Sequence, residues 1–490
     1  MRSSNGAAVA GPGRASAPVL GVLLAVLMAA GCDQSPPTTG DTTSGTESWG
    51  KDQRLTSDPG ASQLSFNFAW SVAVDGLGSI HVVWYDTRVG TSRVYHKRST
   101  DGGSTWGPDT RLSGDQAVGE HPAAAASGSN VYVVWHESGP GGADIHFRRS
   151  TDAGITWGPD SKLTASGKSM HPSMAASGSS VHVVWMDNRD GQTEIYTRRS
   201  TDAGATWGAE TRLSALPFNS WVPSIAASGQ NVYAAWVDLR DGNEEEYFRR
   251  SADSGATWGP ETRLTHDGAD SWAPSIAASA DTVHVVWFDR RDAGVSHFDV
   301  EEKVDEALQL VGLPIEPAPP TDPSMYYLPP LMRRMEEKVK KVQAAAPGWV
   351  RSGGDPDRLE AKLKEFERTM NWWTNGWEIY YKRSADGGAT WGPDIRLTNA
   401  PSVSQRPSIA VSGINLHVVW FDERDGNFEV YYKHSPDGGN SWRSDTRLTD
   451  APGASMHPTI AARDDSLHVV WFDERDGSTE IYYKHRLALQ

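Results

Sequence analysis

Short apolar runs rich in Val and aromatic residues recur along this chain at an even pitch. Leu416–Trp420 (LHVVW) shows the form. Such a run suits a pleated, buried strand. A polar turn with Asp425-Gly426 follows, the dipeptide of a hairpin, then an alternating strand-like run from Glu429 to His434, then a second polar turn, Ser435–Trp442. The Trp that ends the first run recurs at Trp84, Trp135, Trp185, Trp236, Trp287, Trp420 and Trp471, in steps of 51, 50, 51, 51, 133 and 51 residues. A constant pitch near 50 predicts a repeat architecture, one small sheet per repeat, with an insertion in the long step.

Each repeat offers four strands, A to D counted outward from a ring axis. In the third they are Ser173–Ser177, Val181–Asp187, Glu194–Arg199 and a segment ending at Thr211–Ser214. The last repeat stops after strand C. Its missing piece stands at the front of the chain, where Ser48–Thr56 (SWGKDQRLT) matches Thr105–Ser113 (TWGPDTRLS). The pattern therefore predicts an all-β, seven-bladed propeller over residues 49–490. Its N-terminal strand pairs with the C-terminal blade and leaves no open sheet edge. The insertion, residues 294–374, falls in the B–C turn of blade five. Three apolar faces at helical spacing lie in it: Val300, Val304, Ala307, Leu308 and Val311; Leu331, Met335, Val339 and Val342; Leu359, Leu363, Phe366 and Met370. They predict a small module of three helices, with Asp355-Pro356 starting the last.

The second turn reads Ser-x-Asp-x-Gly-x-Thr/Ser-Trp at Ser99–Trp106, Ser150–Trp157, Ser200–Trp207, Ser251–Trp258, Ser384–Trp391 and Ser435–Trp442. This resembles the Asp-box, the bacterial neuraminidase repeat of sialidase-like β-propellers. The resemblance implies the propeller fold, with the Asp-boxes structural and on the face away from an active site. Sialidases have six blades, so seven is a departure. They hold the substrate carboxylate with three arginines and use a Tyr/Glu pair with an Asp acid/base. Their Phe/Tyr-Arg-Ile-Pro segment has no match here beyond Arg406-Pro407, so no catalytic residue is carried over.

Strands alternate in direction, so the A–B turns and Asp-boxes share one face, and the B–C turns, D–A connections and insert share the other. Fourteen of the 21 tryptophans are repeat positions and read as packing between blades. The other seven, Trp70, Trp221, Trp272, Trp349, Trp372, Trp373 and Trp377, belong on the insert face. They either offer exposed indoles for sugar rings or a partner, or fix the insert to the propeller. The B–C turns carry Asp-x-Arg at Asp86/Arg88, Asp187/Arg189, Asp238/Arg240, Asp289/Arg291, Asp422/Arg424 and Asp473/Arg475, and blade two breaks the pattern with Glu137-Ser138. Arg189, Arg240, Arg291, Arg424 and Arg475 are candidate carboxylate binders. Otherwise the Asp caps its own turn and the Arg bridges to a neighbouring blade. His121, His171 and His457 precede prolines at the start of strand A and could approach the channel. His81, His182, His284, His417 and His468 lie in strand B and read as core. No histidine spacing is diagnostic of a metal, and no cofactor is expected.

Composition adds three constraints. The 48 glycines suit a turn-rich all-β chain. A net charge of −16 disfavours nucleic acid. Residues 1–32 read as a targeting segment, with Arg2 and Arg14 before the apolar run Ala17–Ala30. Its end, Ala29-Ala30-Gly31-Cys32, resembles a bacterial lipoprotein signal. That implies lipidation at Cys32, a tether over 33–48, and a place in the cell envelope on the periplasmic or surface side. Cys32 is the only cysteine, so no disulfide can brace the fold. The expectation is a lipid-anchored propeller that binds a glycan or an envelope protein on the insert face. The alternative is a sialidase-like exo-glycoside hydrolase with the insert as a lid.

Overall fold

A computed structural model describes residues 48–57, 60–65, 70–115, 118–214, 218–291, 297–315, 328–400 and 402–486. Cys32, the targeting segment and most of the tether lie outside them. The described strands form seven antiparallel sheets, each a meander A-B-C-D. Blade one departs: two short segments, Ser62–Gln63 and Val72–Val74, share the edge of its strand B, Ile80–Asp86. Strands A of successive blades pack directly on one another around the axis. They are longer than expected. In blade three strand A runs Ser169–Ser177, through His171-Pro172, with a register shift between Met170 and Ser173. Pro172 has no N–H to give a ladder, and a bulge is where a strand tolerates that.

The ring closes as the repeat alignment predicts. Gln53 pairs with Tyr483 and Arg54 with Tyr482. Leu55 N donates to Ile481 O at 2.8 Å. The Arg/Lys-Leu-Ser/Thr signature of strand D has a physical reason. The Leu is buried in every blade. The hydroxyl after it accepts the amide of the second residue of strand C and, in blades two to seven, donates to an acidic side chain beside it; blade one has Arg93 in the place of the acid. In blade three Ser214 Oγ takes the Ile195 amide at 2.8 Å and donates to Glu194. In blade seven Thr56 takes the Ile481 amide at 2.8 Å and donates to Glu480 at 2.5 Å. The opening segment thus supplies what any other strand D supplies.

Contacts between blades repeat in the same way. Each strand-B Trp is fully buried; the indole N–H of Trp84 donates to Asp86 at 2.9 Å, and that of Trp471 to Asp473 at 2.9 Å. In six of the seven blades the Trp at the Asp-box position meets a strand-C aromatic of the preceding blade edge-on, as Trp207 on Phe147 at 5.0 Å, Trp391 on Phe248 at 4.9 Å and Trp442 on Tyr381 at 5.0 Å; Trp258 is the exception, because blade three carries Thr197 in that column. The series crosses the chain ends without a gap, with Trp49 on Tyr432 at 5.0 Å and Trp106 on Tyr483 at 4.9 Å. Within the box, Asp202 accepts the Thr206 amide and hydroxyl at 2.8 and 2.5 Å, and Ser200 Oγ takes the Gly204 amide at 2.8 Å. In blade one Gly103 is left-handed, at φ 89°, and a Cβ there would overlap the Tyr483 hydroxyl of blade seven.

The Asp-boxes and A–B turns do share a face: Ala203 N donates to Ser179 O at 2.8 Å. The insert leaves from the other, between the paired residues Asp289 and Glu378. It forms helices α1 (His297–Leu310), α2 (Leu328–Arg351) and α3 (Pro356–Asn375). The expected apolar faces pack into a core of their own, from Val300 to Phe366; the Leu331 and Met370 side chains lie outside the described residues. Asp355 caps α3, accepting the Asp357 amide at 3.0 Å.

One residue opposes the pattern. Where the other strands C carry Val94, Ile145, Ile195, Ile379, Val430 and Ile481, blade four carries Glu246. It is fully buried and neither carboxyl oxygen has a hydrogen-bond partner. Burial, and then the charges of Glu245 and Asp289, push its pKa well above the carboxylate range. The folded state therefore keeps the proton, and stability is lost as pH rises from the unfolded value of ~4.3 through the folded one. Glu246→Ile is expected to stabilise the protein by roughly 1–3 kcal/mol at neutral pH, with a gain that shrinks towards pH 4, in denaturant titrations across pH. A second prediction concerns closure. Asp52 pairs with Arg475 and Lys484, both at 2.8 Å, as Asp109 pairs with Arg88 at 2.7 Å and Lys97 at 2.9 Å. Asp52→Ala and Asp109→Ala are expected to lower stability equally, by roughly 1–2 kcal/mol each; a silent Asp52→Ala against a costly Asp109→Ala contradicts a closed ring.

Candidate functional site

The bulge in strand A sets the geometry of the axis at the insert end. In blades two to seven the first of the two residues inside the register shift is left-handed, with φ between 50° and 62°: His121, His171, Val222, Ala273, Arg406 and His457. A non-glycine residue pays for that conformation, and the bulge re-aims its side chain. The architecture is repeated but the residues are not. Blades six, seven, two and three place Arg406, His457, His121 and His171 at this level; blades four and five place Val222 and Ala273.

Side chains from neighbouring strands complete a polar sector. The His121 ring lies 4.4 Å from His171, 5.1 Å from His136 and 5.4 Å from Tyr85, centroid to centroid. Glu120 Oε2 is 3.7 Å from His136 Nε2, and Glu120 Oε1 accepts the Ser92 hydroxyl at 2.9 Å. Tyr85 donates to Gln63 at 2.6 Å. On the same ring, Arg406 Nη1 is 3.4 Å from His457 Nδ1, and His457 stacks between Phe421 and Phe472. Burial, then neighbouring imidazoles, hold His121 well below the ordinary histidine range; the same causes bring His171 down to about 3. Burial, then Arg406, lowers His457. These three rings are neutral at pH 7 and each keeps a lone pair. Burial, then Glu120, raises the Tyr85 phenol, so it stays a hydrogen-bond donor.

Blades four and five supply an apolar arc, and here the expectation of exposed indoles needs correcting. Trp221 and Trp377 are 2% and 3% exposed and belong to one core cluster with Met186, Val222, Ala273 and Phe288. Strand pairing sets Trp221 opposite Val237, inside the blade stack. Trp272 is half-buried, its ring 6.0 Å from Trp221. Trp70 is half-buried, and its carbonyl accepts the Ala124 amide at 2.8 Å. Trp349 packs against the core of the insert, and the side chains of Trp372 and Trp373 lie outside the described residues.

The Asp-x-Arg arginines do not converge. Each pairs with the Asp two residues before it and with an acid on strand D of its own blade: Arg189 with Asp187 and Glu210, Arg240 with Asp238 and Glu261, Arg291 with Asp289 and Asp394, Arg424 with Asp422 and Asp445, Arg475 with Asp473 and Asp52. The guanidinium lies over a strand-C tyrosine of the same blade, as Arg189 over Tyr196 at 4.5 Å. The bridge thus runs within a blade rather than to a neighbour, and it turns the arginines outward from the axis. In blade two His146 replaces that tyrosine and pairs with Asp160 at 2.9 Å.

The sequence reading singled out His121, His171 and His457 but passed over Tyr85, Glu120, His136 and the role of Arg406. A signal existed. The residue after each strand-B Trp reads Tyr85, His136, Met186, Val237, Phe288, Phe421 and Phe472, and only the first two bear strong polar groups.

The fold defines a seven-bladed propeller with BNR-like repeats. The BNR repeat-like domain profile matches residues 38–236, less than half of the chain. No curated protein sequence matches it. Among solved structures, a PL25 ulvan lyase bound to GlcA(1-4)Rha3S is similar at TM-score 0.53 and 10% identity, over 88% of this chain and 95% of that one. The polysaccharide lyase Uly1 is similar at TM-score 0.50 and 8% identity, over 85% and 89%. A Trypanosoma rangeli sialidase scores 0.41 at 10% identity, over 85% of this chain and 55% of that one. At these identities the likeness is one of fold.

Removing an Asp-x-Arg guanidinium should act on stability. Arg189→Ala leaves the buried Asp187 carboxylate without its cation and is expected to cost roughly 2–3 kcal/mol in denaturant titration.

Proposed function

We propose that this protein binds a glycan at the insert-face mouth of its axis, and that it does so exported and anchored to the cell envelope through Cys32. The carrying observation is the break in sevenfold order at that one level: His121, His136, His171, Arg406 and His457 on one side, Trp272 with the apolar arc on the other. Imidazoles that donate and accept, one guanidinium and a half-buried indole match the hydroxyls, carboxylates and apolar faces of sugar rings. Polysaccharide lyases of similar fold, one of them bound to an acidic disaccharide unit, support the substrate class by analogy. An envelope protein as partner is the competing outcome.

A second reading, glycan processing, draws on Tyr85, Glu120 and His136 beside His121, groups able to move protons near one another. Hydrolysis in the sialidase manner gains nothing from the Asp-x-Arg set, which is engaged within single blades.

Binding of neutral and uronate-bearing oligosaccharides on an array tests the first reading. Arg406→Ala and Trp272→Ala are expected to weaken the binding of any retained glycan at least tenfold, about 1.4 kcal/mol each. No retained glycan, or binding indifferent to both changes, contradicts it. Release of unsaturated or reducing sugar from a bound glycan would favour processing. Cys32→Ser should move the protein from the membrane to the soluble fraction; an unchanged distribution contradicts the anchor.

A further inference from the structure

We infer that the histidine cluster of blades two and three is a binding site for one divalent transition-metal ion of the zinc class, held by His121, His136 and His171 with Glu120. Donor atoms of Glu120, His121 and His136 all lie within 4.8 Å of one another. The His171 ring is 4.4 Å from His121 and 5.5 Å from His136. Bonds of ~2.0–2.2 Å in a tetrahedral site place ligand atoms about 3.3–3.5 Å apart. Glu120, His121 and His136 stand near that spacing; His171, whose nitrogens fall outside the 4.8 Å group, has to turn inward to become the fourth ligand.

The His136 side chain is 6% exposed, and its Nε2, which faces Glu120 Oε2 at 3.7 Å, is the nitrogen placed to share an ion with that carboxylate. The Ser92 hydroxyl fixes Glu120 from behind, as outer partners of metal ligands commonly do. Three imidazoles and one carboxylate select ions of the zinc, cobalt or nickel type over calcium or magnesium, which take oxygen ligands.

The ligand set occurs once in the ring. Where blade two has His136, blades five, six and seven have Phe288, Phe421 and Phe472; where blades two and three have His121 and His171, blades four and five have Val222 and Ala273. These residues show which replacements the architecture accepts. A second group, Glu137, His146 and Asp160, lies farther out on blade two. Its His146 and Asp160 already pair at 2.9 Å and are partly exposed, so it serves as an internal control. The inference does not depend on the glycan reading, because the ion is sought on its own.

The test uses the full chain, stripped with chelator and titrated with Zn²⁺ and Co²⁺. One ion per chain is expected, with a raised Tm and, for Co²⁺, visible absorption of a four- or five-coordinate site. His136→Phe and His171→Val should each weaken Zn²⁺ binding by more than the roughly 10–100-fold loss an outer-shell change brings. His146→Tyr, which copies the other blades, should leave it unchanged. Absence of stoichiometric Zn²⁺ in the unaltered chain, affinity unmoved by both His136→Phe and His171→Val, or affinity abolished by His146→Tyr would each overturn the proposal. Should one variant fail to fold, the Co²⁺ spectrum of the unaltered chain and the other variant still decide it.

Discussion

The last blade has to find a fourth strand, and the rest of the molecule depends on where it comes from. Six sheets complete themselves in sequence; the seventh takes Gln53–Arg54 from the start of the chain. That segment brings more than two ladder pairs. It brings Leu55 to the core, Thr56 to the Ile481 amide and Asp52 to Arg475 and Lys484. Trp49 and Trp106 then carry the edge-on aromatic contacts across the junction. With no disulfide available, this join closes the ring through ordinary packing, hydrogen bonds and partly buried ion pairs, the same forces that hold every other blade.

A closed ring with a repeated bulge separates structure from function by position. Residues that recur have recurrent jobs: the strand-B indole donates to its Asp, the Arg bridges that Asp to strand D, and the Asp-box ties its own turn. The left-handed residue of strand A is different. Its backbone is the same in six blades while its side chain varies from Ala273 to Arg406. A strained position kept by the architecture, with freely varied side chains aimed at one end of the axis, is a place where a site can be assembled without disturbing the fold. The insert emerges at that end, from the B–C turn of blade five.

The fold was largely legible because the repeat is written in the chain seven times. Trp spacing gave the blades, the SWGKDQRLT segment gave the closure, and Asp355-Pro356 marked a helix cap that the structure bears out. The site was less so, for two reasons. Trp221 and Trp377 stand out as irregular letters, yet irregularity in sequence does not report exposure; pairing opposite Val237 buries the first. The arginines stand out as a motif, yet their partners lie on strand D, some 21 residues further on for Arg189 and at the far end of the chain for Arg475. The polar sector was hidden in the opposite way. His136 and Glu120 occupy columns that are apolar in most other blades, Tyr85 and Gln405 being the exceptions, and only a column-by-column comparison of repeats isolates them. Glu246 at an Ile/Val position is a third case of the same kind.

Hydrogen exchange of the backbone amides from Gly50 to Thr56 tests the closure on which this assignment of faces rests. Leu55 N is bonded to Ile481 O, as Leu112 N is to Val94 O in blade one, both at 2.8 Å. Protection of the Leu55 amide equal to that of Leu112, lost in the same cooperative step, is the predicted result. Exchange of the opening segment at the rate of a free chain, while Gly107–Ser113 stays protected, would contradict it.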